Sequence, residues 1–440
     1  MKKTLFSPAA LALLTMPSLA FAASFQLLEQ SPAQMGKAFA GTASDITDAS
    51  TVYFNPAGMS RLEGGHFTFG VNVVSPKAEF NDQGSTYPGD PGKTDEYGVI
   101  PNVYLVIPLA DSFRIGFGAG GPFGLASDFG TTWQGRYSAT FSELEVANFN
   151  VTTSWAPSDY IALGLGVNYQ RIETTLENQV DSTFGISPDP STDSSAKVQG
   201  DDDGFVLDVS LLITPSDRTS IGLLWREGGE FTLDGDASFE LNAACAPGAG
   251  FPTGMPPAPT TGTLCAGGLS ALAGDVEASV KLPDVITLSA THWFHPVWAI
   301  HVDVSQTRWS SIDEIDVINT GNDMLVDKLD LQYSDTMRYS LGTSIRASQA
   351  LTWRAGIAFD EAPQTDPEFA TARIPDADRT WIAFGANVVL SDALTMDVSY
   401  AHLLVDEASI HETDANSGRV LSGEFDSDVN IVAAQINWRF

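Results

Sequence analysis

The chain has 440 residues, 43% of them apolar, with 55 acidic against 22 basic side chains and a formal net charge of −33. Such acidity excludes nucleic acid as a partner, because binding phosphate needs basic surface. The length would hold two or three soluble domains, yet an all-β barrel runs this long as a single one.

Residues 1–22 read as a signal peptide. Lys2 and Lys3 give a charged start, Leu5 to Leu19 an apolar run, and Ala20-Phe21-Ala22 a small-x-small cleavage pattern. The mature chain is then expected to begin at Ala23. Residues 23–64 do not alternate like a strand. Small and short polar residues dominate Gly36 to Ser50, and Asn55-Pro56 is a turn signal. This stretch is expected to be a plug, or hatch, with residues 65–440 as a wall around it.

From Gly65 onward the residues alternate with period two, as a strand with two different faces must. Phe67, Phe69, Val71 and Val73 share one face; His66, Thr68, Gly70 and Asn72 share the other. The pattern recurs through 14 segments, Leu331, Tyr333, Met337, Tyr339 and Leu341 forming one of the apolar faces, and ends on Val432, Ala434, Ile436, Trp438 and Phe440. Six connections are short and rich in turn residues, such as Ala156-Pro-Ser-Asp159 and Thr214-Pro-Ser-Asp217. Seven are long, about 77–96, 122–138, 179–203, 233–275, 311–330, 361–377 and 407–424. That layout predicts a 14-stranded antiparallel transmembrane β-barrel with short periplasmic turns and long external loops, in the outer membrane of a Gram-negative bacterium. After residue 22 no run of about 18 apolar residues occurs, so no membrane-spanning helix is expected. A soluble β-sandwich suits the sequence less well. The faces opposite the apolar ones carry Gly, Ser, Thr, Asn and charges, as a wet lumen would, and Trp155, Trp293, Trp353, Trp381 and Trp438 stand near segment ends, as in an aromatic girdle.

The only cysteines, Cys245 and Cys265, lie in one long connection. Export makes a disulfide plausible, and two free thiols remain the alternative. Leu264 and Leu269-Ser-Ala-Leu272 beside them are candidate lining for an external apolar groove, so 179–203 and 233–275 are the candidate ligand-groove loops. Strand parity places Arg114, Arg338, Arg346 and Arg354 on the non-lipid face, with Lys281 on a segment phased less securely. Each could meet a carboxylate ligand or pair with an acid such as Asp208, Asp303 or Asp397. Arg171 shares parity with the lipid-facing set and is expected at the outer rim. Alternation fails over Gly118-Ala-Gly-Gly-Pro-Phe-Gly124. Gly marks strand bends and Pro removes a ladder donor, so Gly118, Gly120, Gly121 and Pro122 mark either a kink in the wall or an ordinary strand end. Nothing suggests catalysis. No Gly-x-Ser-x-Gly elbow is present, His292 and His295 form no metal pattern, and no cofactor site is indicated. A filled lumen also argues against an open porin.

Several stretches together resemble the FadL-type outer-membrane transporters of long-chain fatty acids and other hydrophobic compounds. They are Ala23-Ser-Phe-Gln-Leu-Leu-Glu-Gln-Ser31, Gly36-Lys-Ala-Phe-Ala-Gly41, Asp48-Ala-Ser-Thr-Val-Tyr-Phe-Asn-Pro-Ala-Gly58, Gly121-Pro-Phe-Gly-Leu125, Trp133-Gln-Gly-Arg-Tyr137, Arg354-Ala-Gly-Ile-Ala-Phe-Asp360 and Arg373-Ile-Pro-Asp-Ala-Asp-Arg379. The resemblance implies passive uptake of long-chain fatty acids, with aromatic hydrocarbons or alkanes as the alternative cargo. An outer-membrane barrel enzyme or an adhesin is the competing class. It further implies a buried pocket at the N-terminus, where Phe25 is the moving side chain, and a kink in the third strand that lets ligand leave sideways. Asn55-Pro56-Ala57 would be fixed hatch architecture facing that opening. Outer-membrane lipid and lipopolysaccharide, and the machinery that assembles barrels, are the expected partners of a monomer.

Overall fold

The computed structural model describes residues 24–95, 97–254, 258–414 and 418–440. Residues 1–22, expected to be a signal peptide, and Ala23 lie outside the described residues. Fourteen antiparallel strands close into a barrel: β1 His66–Asp82, β2 Gly98–Ala110, β3 Phe113–Asp128, β4 Phe141–Ser158, β5 Ile161–Val180 and β6 Ser194–Ser216. Next come β7, Thr219–Arg226 continued by Glu230–Glu240; β8, Gly274–Lys281 continued by Val285–His295; and β9, Trp298–Thr307 continued by Glu314–Asn319. The wall ends with β10, Leu325–Asp330 continued by Thr336–Arg346; β11 Leu351–Asp360; β12 Arg379–Ser391; β13, Leu394–Val405 continued by Ala408–Thr413; and β14 Val420–Arg439. Each strand pairs with its neighbours in sequence, and β1 pairs with β14 from His66↔Arg439 to Asp82↔Gly423. Beyond that ladder, Gly65 and Phe440 exchange both backbone hydrogen bonds at 2.9 Å. Closure gives the backbone groups of the wall partners inside the sheet, which a bilayer requires.

The alternation has a direct physical reading. On β5 the outward Ile161, Leu163, Leu165 and Val167 are exposed, as lipid-facing side chains of an isolated chain must be, while Ala162, Gly164, Gly166 and Asn168 are buried inward. The inward side chains are small because residues 24–64 fill the lumen. Trp381, expected in the aromatic girdle, faces the other way. It is fully buried with its ring edge-on to Phe39 of the hatch at 5.7 Å.

The long connections are shorter than the sequence suggests, because the strands run on. β3 reaches Asp128, β6 resumes at Ser194, β7 continues to Glu240, and 311–330 contains a strand hairpin. The alternation inverts there. In β6 the outward set is Phe205, Leu207 and Val209 lower down but Lys197, Gln199 and Asp201 higher up, where Val198 points inward. Phe231 and Leu233 of β7, and Val276 and Val280 of β8, are likewise buried inward. Above the bilayer the outside meets water, so the apolar face turns in. Leu331 and Tyr333 also turn inward, although the alternation groups them with the exposed Tyr339 and Leu341. The remaining loop 241–273 holds a 12-residue helix, Thr261–Leu272, and a Cys245–Cys265 disulfide.

The hatch contains two short helices, α1 Pro32–Met35 and α2 Thr51–Phe54, and a 3-10 turn, Pro56–Arg61. Wall groups satisfy its polar backbone. Asp303 Oδ2 accepts from Thr42 N at 3.1 Å and Thr42 Oγ1 at 2.6 Å. Ser289 Oγ accepts from Ala43 N at 3.0 Å. Arg226 donates to the Tyr53 carbonyl at 2.5 Å while its Nε holds Asp208 at 2.7 Å.

Candidate lateral opening and ligand cavity

The strand break lies in β3. Its pairing with β2 stops at Val103↔Ala119. Its pairing with β4 jumps from Gly120↔Asn148 to Phe123↔Val146, leaving Gly121 and Pro122 out of the ladder. Pro122 has no N–H to donate, and Gly121 tolerates the bend. Above the break, Gly98–Asn102 of β2 pair only with β1 on the other side. The sheet is therefore unzipped between β2 and β3.

Residues 25–30 of the hatch take over the edge that β3 exposes. Leu27 N donates to the Pro122 carbonyl and Gly124 N to the Phe25 carbonyl, both at 2.8 Å. Gln30 Nε2 donates to the Gly121 carbonyl at 2.6 Å. On the other side, Asn72 and Asn102 donate to the Glu29 carbonyl at 2.6 and 3.2 Å, and Tyr104 OH to the Gln30 carbonyl at 2.9 Å. The segment is a surrogate strand set inside the gap. A Cβ added at Gly120 would lie 2.4 Å from Gln30 Oε1, whereas one at Gly121 would meet only the Val146 carbonyl, at 3.5 Å. Gly120 thus faces the hatch and Gly121 open space.

Glu29 is buried, and its Oε2 has no hydrogen-bond partner. Burial pushes its pKa up to about 7, against the pull of Arg379. Asp376, in the loop before β12, accepts from Ser24 N at 2.7 Å and pairs with Arg379. Burial pushes its pKa up to about 6, again against Arg379.

Above residue 25 lies an apolar cavity built from the inverted faces. Phe25, Leu125, Leu144, Val198, Leu233, Val276, Val280, Val317 and Leu331 line it. The cavity volume is about 90 Å³, so it is a narrow slot. Phe25 is 3% exposed and packs edge-on against Trp309 at 4.9 Å and near Phe123 at 5.9 Å. Among the described lining residues Arg373 is the one cation and Glu143 the one acid. Arg373 also borders a polar vestibule with Tyr137, Asn178, Lys328 and Glu412. Its contacts with Ser142 Oγ, the Glu177 carbonyl, Asn178 Oδ1 and Asp327 Oδ2 are each 3.4 Å.

The cations expected from strand parity do not reach this cavity. Arg338 is buried beside the hatch, bonded to Ser340 at 2.6 Å and to Asp303 at 3.5 Å. Arg354 is buried against Asp397. Arg114 binds the Ala110 carbonyl at 2.8 Å and the Leu62 carbonyl at 3.3 Å, below the hatch. Lys281 is exposed, and Arg346 lies over the Trp293 ring at 3.9 Å. The reason is common to all. The hatch fills the lumen, so inward cations meet carbonyls and acids there, and exposed ones meet solvent. Arg171 is exposed and paired with Glu173 and Asp201.

Asn55-Pro56-Ala57 also sits elsewhere than expected. Asn55 caps the 3-10 turn by accepting from Ala57 N at 3.1 Å, and its Nδ2 donates to the Ala43 carbonyl at 2.6 Å. Ala57 is bonded to Ser210 and Ser154, and a Cβ on Gly164 would come within 2.3 Å of its nitrogen. The motif docks on β4, β5 and β6; Gln26 to Gln30 are the hatch residues at the break. Leu269 packs on the disulfide, away from the cavity, while Val198, Gly200 and Leu233 from the candidate loop stretches do line it. Strand parity does not reveal Arg373, which lies on a loop, although it opens the Arg373-Ile-Pro-Asp-Ala-Asp-Arg379 motif.

The family of outer membrane protein transport proteins described as OMPP1/FadL/TodX matches residues 13–440. The chain is 30% identical over 426 residues to outer membrane protein P1 of Haemophilus influenzae, covering 92% of this chain and 90% of that protein. It is 27% identical over 441 residues to the long-chain fatty acid transport protein of Escherichia coli K12, covering 93% and 95%. The crystal structure of a Pseudomonas aeruginosa FadL homologue superposes with a TM-score of 0.83 at 21% identity, covering 95% of this chain and all of that one. A plugged 14-stranded barrel with a matching sequence along its whole wall leads to one conclusion: the chain belongs to the OMPP1/FadL/TodX family and is an outer-membrane transporter of hydrophobic compounds.

Proposed function

We propose that the cargo is a long-chain fatty acid, taken up passively and released sideways into the membrane. The observation that carries this reading is the narrow apolar slot bordered by a single, loosely held cation, Arg373. A carboxylate can form shorter, charge-assisted bonds to a guanidinium than its present contacts, while the acyl chain fills the slot and gains burial. A neutral aromatic would use the apolar lining alone. In this reading the acid enters from the vestibule, lays its chain toward Phe25, and displaces residues 25–27 from β3. The gap between β2 and β3 then opens the slot to lipid beside Gly121. Identity to the E. coli long-chain fatty acid transport protein supports the same cargo.

The test is uptake of labelled oleate and labelled toluene by cells lacking other importers, with and without this protein. Oleate uptake that depends on the protein and falls at least about tenfold in Arg373→Gln is expected, since a charge-assisted pair contributes on the order of 1.5–3 kcal/mol. Toluene uptake that needs the protein and is indifferent to Arg373, with no oleate uptake, would assign the hydrocarbon cargo instead.

A further inference from the structure

We propose that the turn from Arg373 to Asp376 senses the ligand's headgroup and releases the N-terminal segment, with Asp376 as the positioning residue of the gate. The inference rests on the fatty-acid reading above.

Ser24 is clasped at two points. Its N–H donates to Asp376 Oδ2 at 2.7 Å and its hydroxyl to Tyr333 OH at 3.1 Å. Tyr333 packs edge-on against Trp309 at 5.8 Å, and Trp309 against Phe25. Ser24 holds φ at 52°, a left-handed conformation that a serine keeps only where its surroundings fix it. The clasp therefore keeps Phe25 in the cavity, and opening it lets the backbone relax.

The same turn touches the cavity at its other end. Arg373 and Ile374 both line the slot, and Pro375 and Asp376 follow directly. Pro375 has a fixed φ, and Ile374 N donates back to the Thr371 carbonyl at 3.2 Å. The link is a stiff turn and not a slack tether. A carboxylate that shortens the contacts of Arg373 favours a new guanidinium position, and the turn carries that displacement to the Ser24–Asp376 bond. Once that bond breaks, two backbone bonds to β3, the Thr307–Gln26 hydrogen bond and the packing of Phe25 are what keep residues 25–27 in the gap. A ligand shifts such an equilibrium only through differential contact with the two states. An acid has that contact; its ester lacks it.

The test uses the full mature chain in phosphatidylcholine proteoliposomes and compares oleate with methyl oleate. Heat-modifiable gel migration checks that each variant keeps its barrel. The wild type is expected to move oleate about tenfold faster than the ester, the ratio one lost charge-assisted bond gives. Asp376→Asn is expected to raise ester uptake about tenfold while oleate uptake stays within about threefold. Asp376→Glu should keep the wild-type ratio. Tyr333→Phe leaves the Asp376–Arg379 pair intact and should raise ester uptake about threefold, as loss of one neutral hydrogen bond does. If Asp376→Asn and Tyr333→Phe both keep the wild-type ratio, or lower both rates alike, the sensing turn is refuted. If they do so while Arg373→Gln abolishes the preference, the fatty-acid reading stands without it. If Arg373→Gln keeps the preference, that reading fails and the sensing turn with it.

Discussion

Glu29 should make the gate respond to pH, and Glu29→Gln should remove most of the response. The carboxyl is buried beside the gap with one oxygen unpartnered, and its pKa stands at about 7 instead of 4.5. Arg379 and Asp360 face it, and Asp360 in turn faces Arg338 and Asp378. When residues 25–27 leave the gap, water reaches the Glu29 carboxyl and returns it to its ordinary range. Between pH 4.5 and about 7 the seated hatch then binds more protons than the released one. Stability of the seated state is full below the lower value and is lost as pH rises through the upper one. A rise from 4.5 to about 7 corresponds to roughly 3.4 kcal/mol, or about three-hundredfold in the ratio of released to seated forms. The assay is methyl oleate uptake into proteoliposomes buffered alike on both sides, because the ester itself does not titrate. Uptake should climb from pH 4.5 and level off above 7, and the Gln variant should stay low with a much flatter profile. A climb that is unchanged in the Gln variant, or a fall with rising pH in the wild type, would refute the reasoning.

Two further outcomes separate the gate from the scaffold. Gly121→Val places a branched side chain where only the Val146 carbonyl lies within 4 Å, so the barrel should fold with normal gel migration. Uptake of oleate and methyl oleate should both drop, by at least about tenfold if the opening is filled; unchanged uptake would rule out sideways release. Arg354→Ala leaves Asp397 buried with only Asn387, Gln435 and Asn437 as donors. It should lower stability by about 3 kcal/mol, read as a lower unfolding midpoint, while the preference for oleate stays as in the wild type.

The wall was legible because lipid imposes one rule on every strand. Phe67 to Val73 and Ile161 to Val167 show an apolar outer face that no loop would keep in phase. The external half was not legible, because the apolar set moves from outside to inside within β6, and a reader following Phe205 to Val209 upward stops where Asp203 and Asp201 begin. The arginines illustrate a different limit. Parity shows that Arg338 and Arg354 point inward, but not that the hatch has already filled the space they enter. Arg373 lies in a loop, where period two carries no information, and its importance comes from strands far away in sequence that surround it. The break at Gly121-Pro122 was legible as chemistry, a missing donor next to a missing side chain. Its filling by Gln26 to Gln30 was not, since Asn55-Pro56 is the stronger turn signal.

The seam between Gly65 and Phe440 also governs assembly. Those residues stand at opposite ends of the wall's sequence, so the ladder that closes the ring joins its first strand to its last. Such long-range pairing makes for slow folding and leaves two unpaired edges until the end. The hatch precedes β1 in the chain and ends inside the sheet, so it need not be threaded through a finished ring. The sheet can curl around it. Loss of β14 would leave β1 and β13 with open edges in lipid and the hatch without Gln435, one of its anchors, so assembly would stall before any route for ligand existed.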